Sequence, residues 1–329
     1  MHNLTQTWQA ELAHAITEVQ ELCQILALDP QVISQLIDPD SPFPLRAPRS
    51  FVARMEKGNI QDPLLQQILP LNQELLESSG FCKDPLQEKA ANPVPGLLHK
   101  YHGRVLLIAA KGCAIHCRYC FRRHFPYEEN TPGIAGWQPT LDYITADSSI
   151  NEVILSGGDP LILKDHYLSH LINQLAEIPH VQTLRIHTRV PIVLPSRITL
   201  ELIELLTTSR LQPVVVVHSN HPNEIDEPVK KSLLALHHAG VTLLNQFVLL
   251  KDINNDAEVL ISLCQKLFKA GVLPYYLHLL DPVQGAQHFA VTAEQGQDLI
   301  RHMHARLPGY LVPKLVCEIP SANGKTLIS

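Results

Sequence analysis

Three cysteines, Cys113, Cys117 and Cys120, stand at C-x3-C-x2-C spacing, with His124 one helical turn beyond the last. Thiolates so close together are metal ligands in waiting, and two chemistries compete for them. A [4Fe–4S] cube normally takes four thiolates, so three leave one iron open to a further ligand. Three thiolates and the imidazole of His124 would instead complete a structural zinc site. Inert packing is the third reading, because Cys is among the most buried residue types, but three in eight positions argue against it. Spacing alone leaves cluster and zinc both open.

A second grouping is the loop Ser156-Gly157-Gly158-Asp159-Pro160. Its glycines allow close backbone approach, and Asp159 offers an acceptor to an ammonium group. Taken alone, Gly-Gly-Asp-Pro is also ordinary turn chemistry. Near the C-terminus, Lys325 ends a turn of small residues, where a lysine is usually just solvated.

The elements that must carry these groups follow from the hydrophobic pattern. The apolar run 105–110, bounded by Arg104 and by Lys111-Gly112, reads as a buried strand. The cysteines therefore leave a strand's C-terminal end, where α/β folds place their chemistry. Further strands are expected at 152–156, 183–187, 213–218, 242–249 and 274–280. Helices are expected between them at 137–146, 164–177, 199–209, 227–239, 256–270 and 292–307. Six strands in βαβ alternation predict a partial, open parallel β/α barrel over residues 91–308. Ahead of it, residues 1–90 read as a helical cap. It begins with an amphipathic helix over 8–28 that Pro30 ends, continues through a Pro-rich connector (38–48), and has shorter helical pieces at 50–57 and 63–68. Behind the barrel, residues 309–329 form a short terminal segment with one more extended stretch at 309–318. Residues 252–256 read as a turn and helix cap.

Composition narrows the class. Of 329 residues, 45% are hydrophobic and 18% charged, enough apolar material for a substantial core. A net charge of −6 offers no attraction to nucleic acid or to a membrane surface. Seven cysteines, an odd number with three clustered, do not form a secreted disulfide framework. Cys23, Cys82, Cys264 and Cys317 are isolated and read as packing. No apolar stretch reaches membrane-spanning length, and the first residues lack the pattern of a secretory signal, so a cytoplasmic protein is expected.

The flanking residues carry a resemblance. C-x3-C-x2-C with Tyr119 before the last cysteine is similar to the signature of the radical S-adenosylmethionine (SAM) superfamily. The segments Val94-Pro-Gly-Leu-Leu-His-Lys-Tyr101, Cys120-Phe-Arg-Arg123, Ser156-Gly-Gly-Asp-Pro-Leu161 and Leu279-Leu-Asp-Pro-Val-Gln-Gly285 resemble lysine 2,3-aminomutases. Within that family the resemblance is greatest to the branch of short chains serving β-lysylation of elongation factor P, and it runs over about residues 47–325.

The resemblance implies three cofactors. Cys113, Cys117 and Cys120 would hold a [4Fe–4S] cluster. SAM would chelate its open iron, with its amino group on Gly157, Gly158 and Asp159, where Asp159 replaces the commoner Glu, and with Gln246 as a further contact. Pyridoxal 5'-phosphate (PLP) would take Lys325 as its Schiff-base lysine and Lys100 and Arg104 as phosphate ligands. The family more often has Arg at the position of Lys100, so a bidentate fork is lost while the charge is kept. For the substrate, Arg122 would hold the carboxylate of lysine, and Asp281 and Glu318 its ε-ammonium; larger aminomutases have Asp at the position of Glu318. Residues 220–224 resemble a segment lining the cavity. The implied reaction converts L-lysine to (R)-β-lysine by 2,3-amino migration, with an electron donor for the cluster and a functional link to elongation factor P and its lysyl ligase. A monomer or small oligomer is the expected assembly. Two alternatives stay open: a radical SAM aminomutase acting on another amino acid, and a zinc-stabilised module without catalysis that binds elongation factor P or its ligase.

Overall fold

In the computed structural model, which describes residues 7–38, 41–131, 136–320 and 322–329, one sheet organises the chain. Residues 39–40 of the Pro-rich connector and Ser321 of the terminal turn lie outside the described residues. Nine strands are joined in strict sequence order. They are β1 (Leu97–Tyr101), β2 (Arg104–Ala110), β3 (Glu152–Gly157), β4 (Thr183–Thr188), β5 (Gln212–Val217), β6 (Thr242–Val248), β7 (Leu273–His278), β8 (Lys314–Cys317) and β9 (Thr326–Leu327). Strands β2 to β8 are parallel throughout, while β1 and β9 run antiparallel to their neighbours at the two edges. Among the described residues the edge strands β1 and β9 are not paired to one another, so the barrel is open.

The six expected strands are β2 to β7. The extended stretch at 309–318 supplies the seventh parallel strand, β8. Helices Gln138–Ala146, Asp165–Ala176, Leu200–Thr207, Glu227–His238, Ala257–Lys269 and Ala293–His304 fill the crossovers. Their starts are written in the sequence. Asp226 accepts from Val229 N and Asp256 from Glu258 N and Val259 N in the first turns of their helices, and Thr292 forms a reciprocal cap with Gln295.

The N-terminal reading needs correction in four places, the first being that the helical piece expected at 50–57 is only Arg49–Val52, with turns after it. The expected helix over 8–28 is two helices, Trp8–Ala13 and Val19–Leu26. Between them Ile16, fully buried, exchanges backbone hydrogen bonds with Ala47, and this pairing overrides helical continuity. Pro30 does not terminate the second helix. It opens a third, Pro30–Leu36, capped by Asp29, because a missing N–H costs nothing in a helix's first turn. Residues 63–68 are turns rather than helix, pinned by the Asp62 carboxylate, which accepts from Leu64 N and Leu65 N.

A single apolar core runs from Trp8 to Leu315, so the N-terminal region packs on the barrel and shares its interior. A smaller cluster of Leu250, Ile253, Val283, Ala286 and Phe289 packs against Tyr119 and Phe121 of the cysteine loop. Among the described residues no helix is long and apolar enough to cross a membrane.

Candidate active site

The C-terminal ends of the parallel strands enclose a cavity of about 380 Å³, lined at once by Cys113, Cys117, Cys120, Gly157, Gly158, Arg122, Gln246, Asp281, Glu318 and Lys325. The expected cluster, SAM, PLP and substrate residues all line it, Lys100, Arg104 and Asp159 included, whereas of residues 220–224 only Asn220 does.

At one end, the cysteine loop and the Gly-Gly loop are locked together. Gly158 N donates to Ala110 O at 2.8 Å and Asp159 N to Gly112 O at 2.7 Å. Approach is so close that a Cβ on Gly158 would lie 2.0 Å from Gly112 O. Gly157 sits at φ +110°, a region L side chains rarely adopt. The glycine pair is therefore required by contact between the loops. Asp159 has a structural task as well. One carboxylate oxygen accepts from Thr188 Oγ1 (2.7 Å) and Leu161 N (3.1 Å), the other from Arg189 N (2.7 Å) and Val190 N (3.2 Å). Four donors fill the capacity of a carboxylate. Asp159 thus ties the loop after β3 to the end of β4, and it can accept from an incoming ammonium only by giving up one of these bonds.

From outside, the cysteine loop is held by a carboxylate that the sequence did not single out. Glu74, buried, accepts from both Arg118 and Arg123, and both guanidinium groups lie 4.9 Å from the centre of the Phe43 ring. Arg118 stands between Cys117 and Cys120, so the N-terminal region fixes the course of the loop. On the cavity side, Arg189 Nη1 donates to Cys117 Sγ at 2.8 Å.

The donor set separates cluster from zinc. A zinc ion needs its four ligands gathered around one point. Among the described residues no three His, Cys, Asp or Glu side chains are gathered in that way, and His124 Nε2 instead lies 3.0 Å from Gln284 O. Three partly exposed thiols that line one cavity could each take a separate iron of a cube.

The opposite end bridges the seam of the open barrel. Glu318, just past β8, accepts from Lys325 Nζ (2.9 Å) and Tyr101 Oη (3.0 Å) and lies 3.7 Å from Lys100 Nζ. Side chains of β1 and of the C-terminal segment thus join the edges that no backbone pairing closes. Burial pushes the Glu318 carboxyl up, but Lys325, Lys100 and Tyr101 outweigh it and hold it at about 2. Asp281 goes the other way. Burial first and Glu318 second push it up to about 7, against Lys325 and Lys100. The two carboxylates face a common space, one firmly ionised and the other ready to ionise beside a cation. The Arg104 guanidinium lies 4.9 Å from the centre of the Tyr101 ring.

Between the ends stand three histidines that the sequence reading also passed over: His187 on β4, His218 after β5 and His278 closing β7. Burial first, then surrounding cations, lowers the pKa of each, that of His218 to about 3. Gln246 Nε2 lies 3.1 Å from His218 Nε2, whereas the buried Nε2 atoms of His187 and His278 have no partner among the described residues. Neutral imidazoles with unused nitrogens on a cavity wall are suited to a polar ligand. Their signal was positional, since each sits at or just past a strand's C-terminal end. Residues 220–224 are mostly framework: Glu224 takes Arg189 and the backbone N–H of Asn220 and His221.

An open parallel barrel with three cysteines after its first parallel strand and a glycine loop after the next defines a radical SAM protein. Residues 102–188 match the family model described as "4Fe-4S single cluster domain". The fold is shared with a radical SAM methyltransferase from Sphaerobacter thermophilus, at TM-score 0.50 and 15% identity over 67% of this chain and 68% of that one. More specifically, the chain is 51% identical to an L-lysine 2,3-aminomutase of Haemophilus influenzae, over 98% of this chain and 95% of that protein. It is 49% identical to the Escherichia coli protein of the same name, over 97% and 93%. With the protein of that name from Clostridium subterminale it shares 35%, over 97% of this chain and 77% of the other. The chain belongs to the lysine 2,3-aminomutase family.

Proposed function

We propose that this protein is a radical SAM, PLP-dependent lysine 2,3-aminomutase, an isomerase that converts L-α-lysine to (R)-β-lysine. The observation that carries the reading is that one cavity joins the three-cysteine loop to Lys325 and its carboxylate neighbours. When bound, the cluster and SAM supply a carbon-centred radical able to take hydrogen from an unactivated carbon, and PLP supplies the route for an amino group to move from Cα to Cβ.

The chain's own residues bind and orient. Cys113, Cys117 and Cys120 would hold the cluster, and the Gly157-Gly158 backbone and Gln246 would contact SAM. Lys100 and Arg104 would receive the PLP phosphate, and Lys325 would be the lysine that takes its carbonyl carbon. Arg122 faces the lysine carboxylate. Asp281 and Glu318 receive the ε-ammonium, and an arriving cation keeps Asp281 ionised. Two carboxylates at that end favour a long cationic side chain over a neutral one.

The product is proposed to serve the modification of elongation factor P through its lysyl ligase, in the cytoplasm, with an electron donor reducing the cluster. The resemblance to the branch serving that factor supports this placement. The test is an anaerobic assay of cluster-reconstituted protein with dithionite, SAM, PLP and L-lysine, resolved by chiral chromatography. (R)-β-Lysine formed without stoichiometric loss of SAM is the expected result. Cleavage of SAM with lysine unchanged would overturn the substrate, and the S enantiomer would overturn the assigned branch.

A further inference from the structure

Glu88 has no place in the roles above, yet it touches two of the site's cations. It is 4% exposed and its two oxygens take the Arg122 fork, with Nε at 2.8 Å and Nη2 at 2.8 Å. The same carboxylate accepts from Lys100 Nζ at 3.3 Å. Arg122 is itself 7% exposed, and its Nη1 donates to Ser156 Oγ at 3.1 Å.

The chain goes to some length to place this carboxylate. Gln87, the residue before it, is held at φ +51°, a left-handed conformation rare for a residue with a side chain. Glu88 N donates to Asp84 Oδ1 at 3.0 Å, and Leu86 is buried beside them. The result is an unbroken alternation of charge across the cavity wall: Arg122, Glu88, Lys100, Glu318, Lys325.

We infer that Glu88 is a positioning residue that couples the substrate-carboxylate site at Arg122 to the cofactor-phosphate site at Lys100; the inference rests on the functional reading above. A guanidinium has two edges able to form paired hydrogen bonds. Glu88 takes the Nε–Nη2 edge and so turns the Nη1–Nη2 edge, braced by Ser156, to an incoming carboxylate. By holding Lys100 with the same group, it sets the spacing between the two anions that the site must receive. Its oxygens are engaged by Arg122 and Lys100, and it acts through these partners.

The test compares wild type, Glu88→Gln and Glu88→Asp. The readouts are iron content, binding of PLP and of pyridoxal by absorbance titration, and KM and kcat for L-lysine. The inference expects Glu88→Gln to keep its iron. PLP affinity falls about tenfold or more while pyridoxal, which lacks the phosphate, loses little, and the KM for lysine rises about tenfold with a smaller change in kcat. Glu88→Asp recovers part of both losses. Unchanged PLP affinity and KM in Glu88→Gln overturn the inference, as does an equal loss for PLP and pyridoxal. Should Glu88→Gln not fold, Arg122→Lys decides. It keeps the charge but cannot take the fork, so it weakens PLP binding if Glu88 couples the sites and leaves it unchanged if not. A wild type that binds neither PLP nor lysine overturns the functional reading and this inference with it, an outcome distinct from a functional wild type with an indifferent Glu88.

Discussion

Replacing Gly158 with Ala tests the contact that aligns the cysteine loop with the glycine loop. An added Cβ lies 2.0 Å from Gly112 O, 2.6 Å from Gly112 C and 2.8 Å from Gly112 N, where ordinary contact begins at 3.4 Å. These are backbone atoms and cannot rotate aside, so the two loops must separate by about 1 Å or more. Separation strains the hydrogen bonds from Gly158 N to Ala110 O and from Asp159 N to Gly112 O. Overpacking at about 1–3 kcal/mol and about 1 kcal/mol for each of the two hydrogen bonds give a total of about 3–5 kcal/mol. The displaced residue, Gly112, immediately precedes Cys113, so cluster retention suffers as well as stability. The assay is iron and sulfide per chain after anaerobic reconstitution, beside thermal unfolding. Gly324→Ala is the control, because nothing among the described residues lies within 4 Å of a Cβ there. Full iron content and an unchanged unfolding midpoint in Gly158→Ala would refute the reasoning, as would equal damage in the control.

Three further outcomes are expected. Glu74→Gln leaves Arg118 and Arg123 buried without their counter-charge, a loss of about 3 kcal/mol or more, read as a lower unfolding midpoint together with less iron retained. In the ligand-free protein Asp281, pushed up to about 7 by burial and then by Glu318, binds its proton more tightly folded than unfolded. Its contribution to stability is present at low pH and is lost as pH rises through about 7. Screening by water in the cavity keeps this to roughly 2 kcal/mol. Asp281→Asn therefore gains on wild type between pH 5 and pH 8, and a difference independent of pH contradicts the assignment. Lys325→Ala keeps the fold, since its side chain is part-exposed and pairs only with Glu318 among the described carboxylates, but borohydride no longer fixes PLP to the protein; fixation at another lysine would displace Lys325 from its role.

The barrel was legible because its signal is local. Apolar runs such as Val214–Val217 within β5, and capping residues such as Asp256, announce their own elements. The cysteine spacing and Gly157-Gly158 were legible for the same reason. What escaped depends on partners distant in sequence. Ile16 breaks a helix because Ala47 pairs with it, and nothing near Ile16 records this. Glu74 and Glu88 are single carboxylates in polar segments, and their guanidinium partners lie 44 and 34 residues away. Asp159 was legible as a residue but not as a task, since only the fold shows its oxygens turned to β4 and to the loop's own helix turn. The strand β1, Leu-Leu-His-Lys-Tyr, lacks an alternating pattern and forms as the hairpin partner of β2.

The central claim is that the cysteine loop and Lys325 serve one cavity and one substrate. It is tested most directly with L-lysine deuterated at C3, incubated anaerobically with the reconstituted protein, PLP and SAM. The account expects deuterium in the recovered SAM, and expects none when Lys325→Ala replaces the wild type. SAM that is consumed while the label stays wholly in lysine would mean that the radical end of the cavity acts on something other than a lysine held by Lys325.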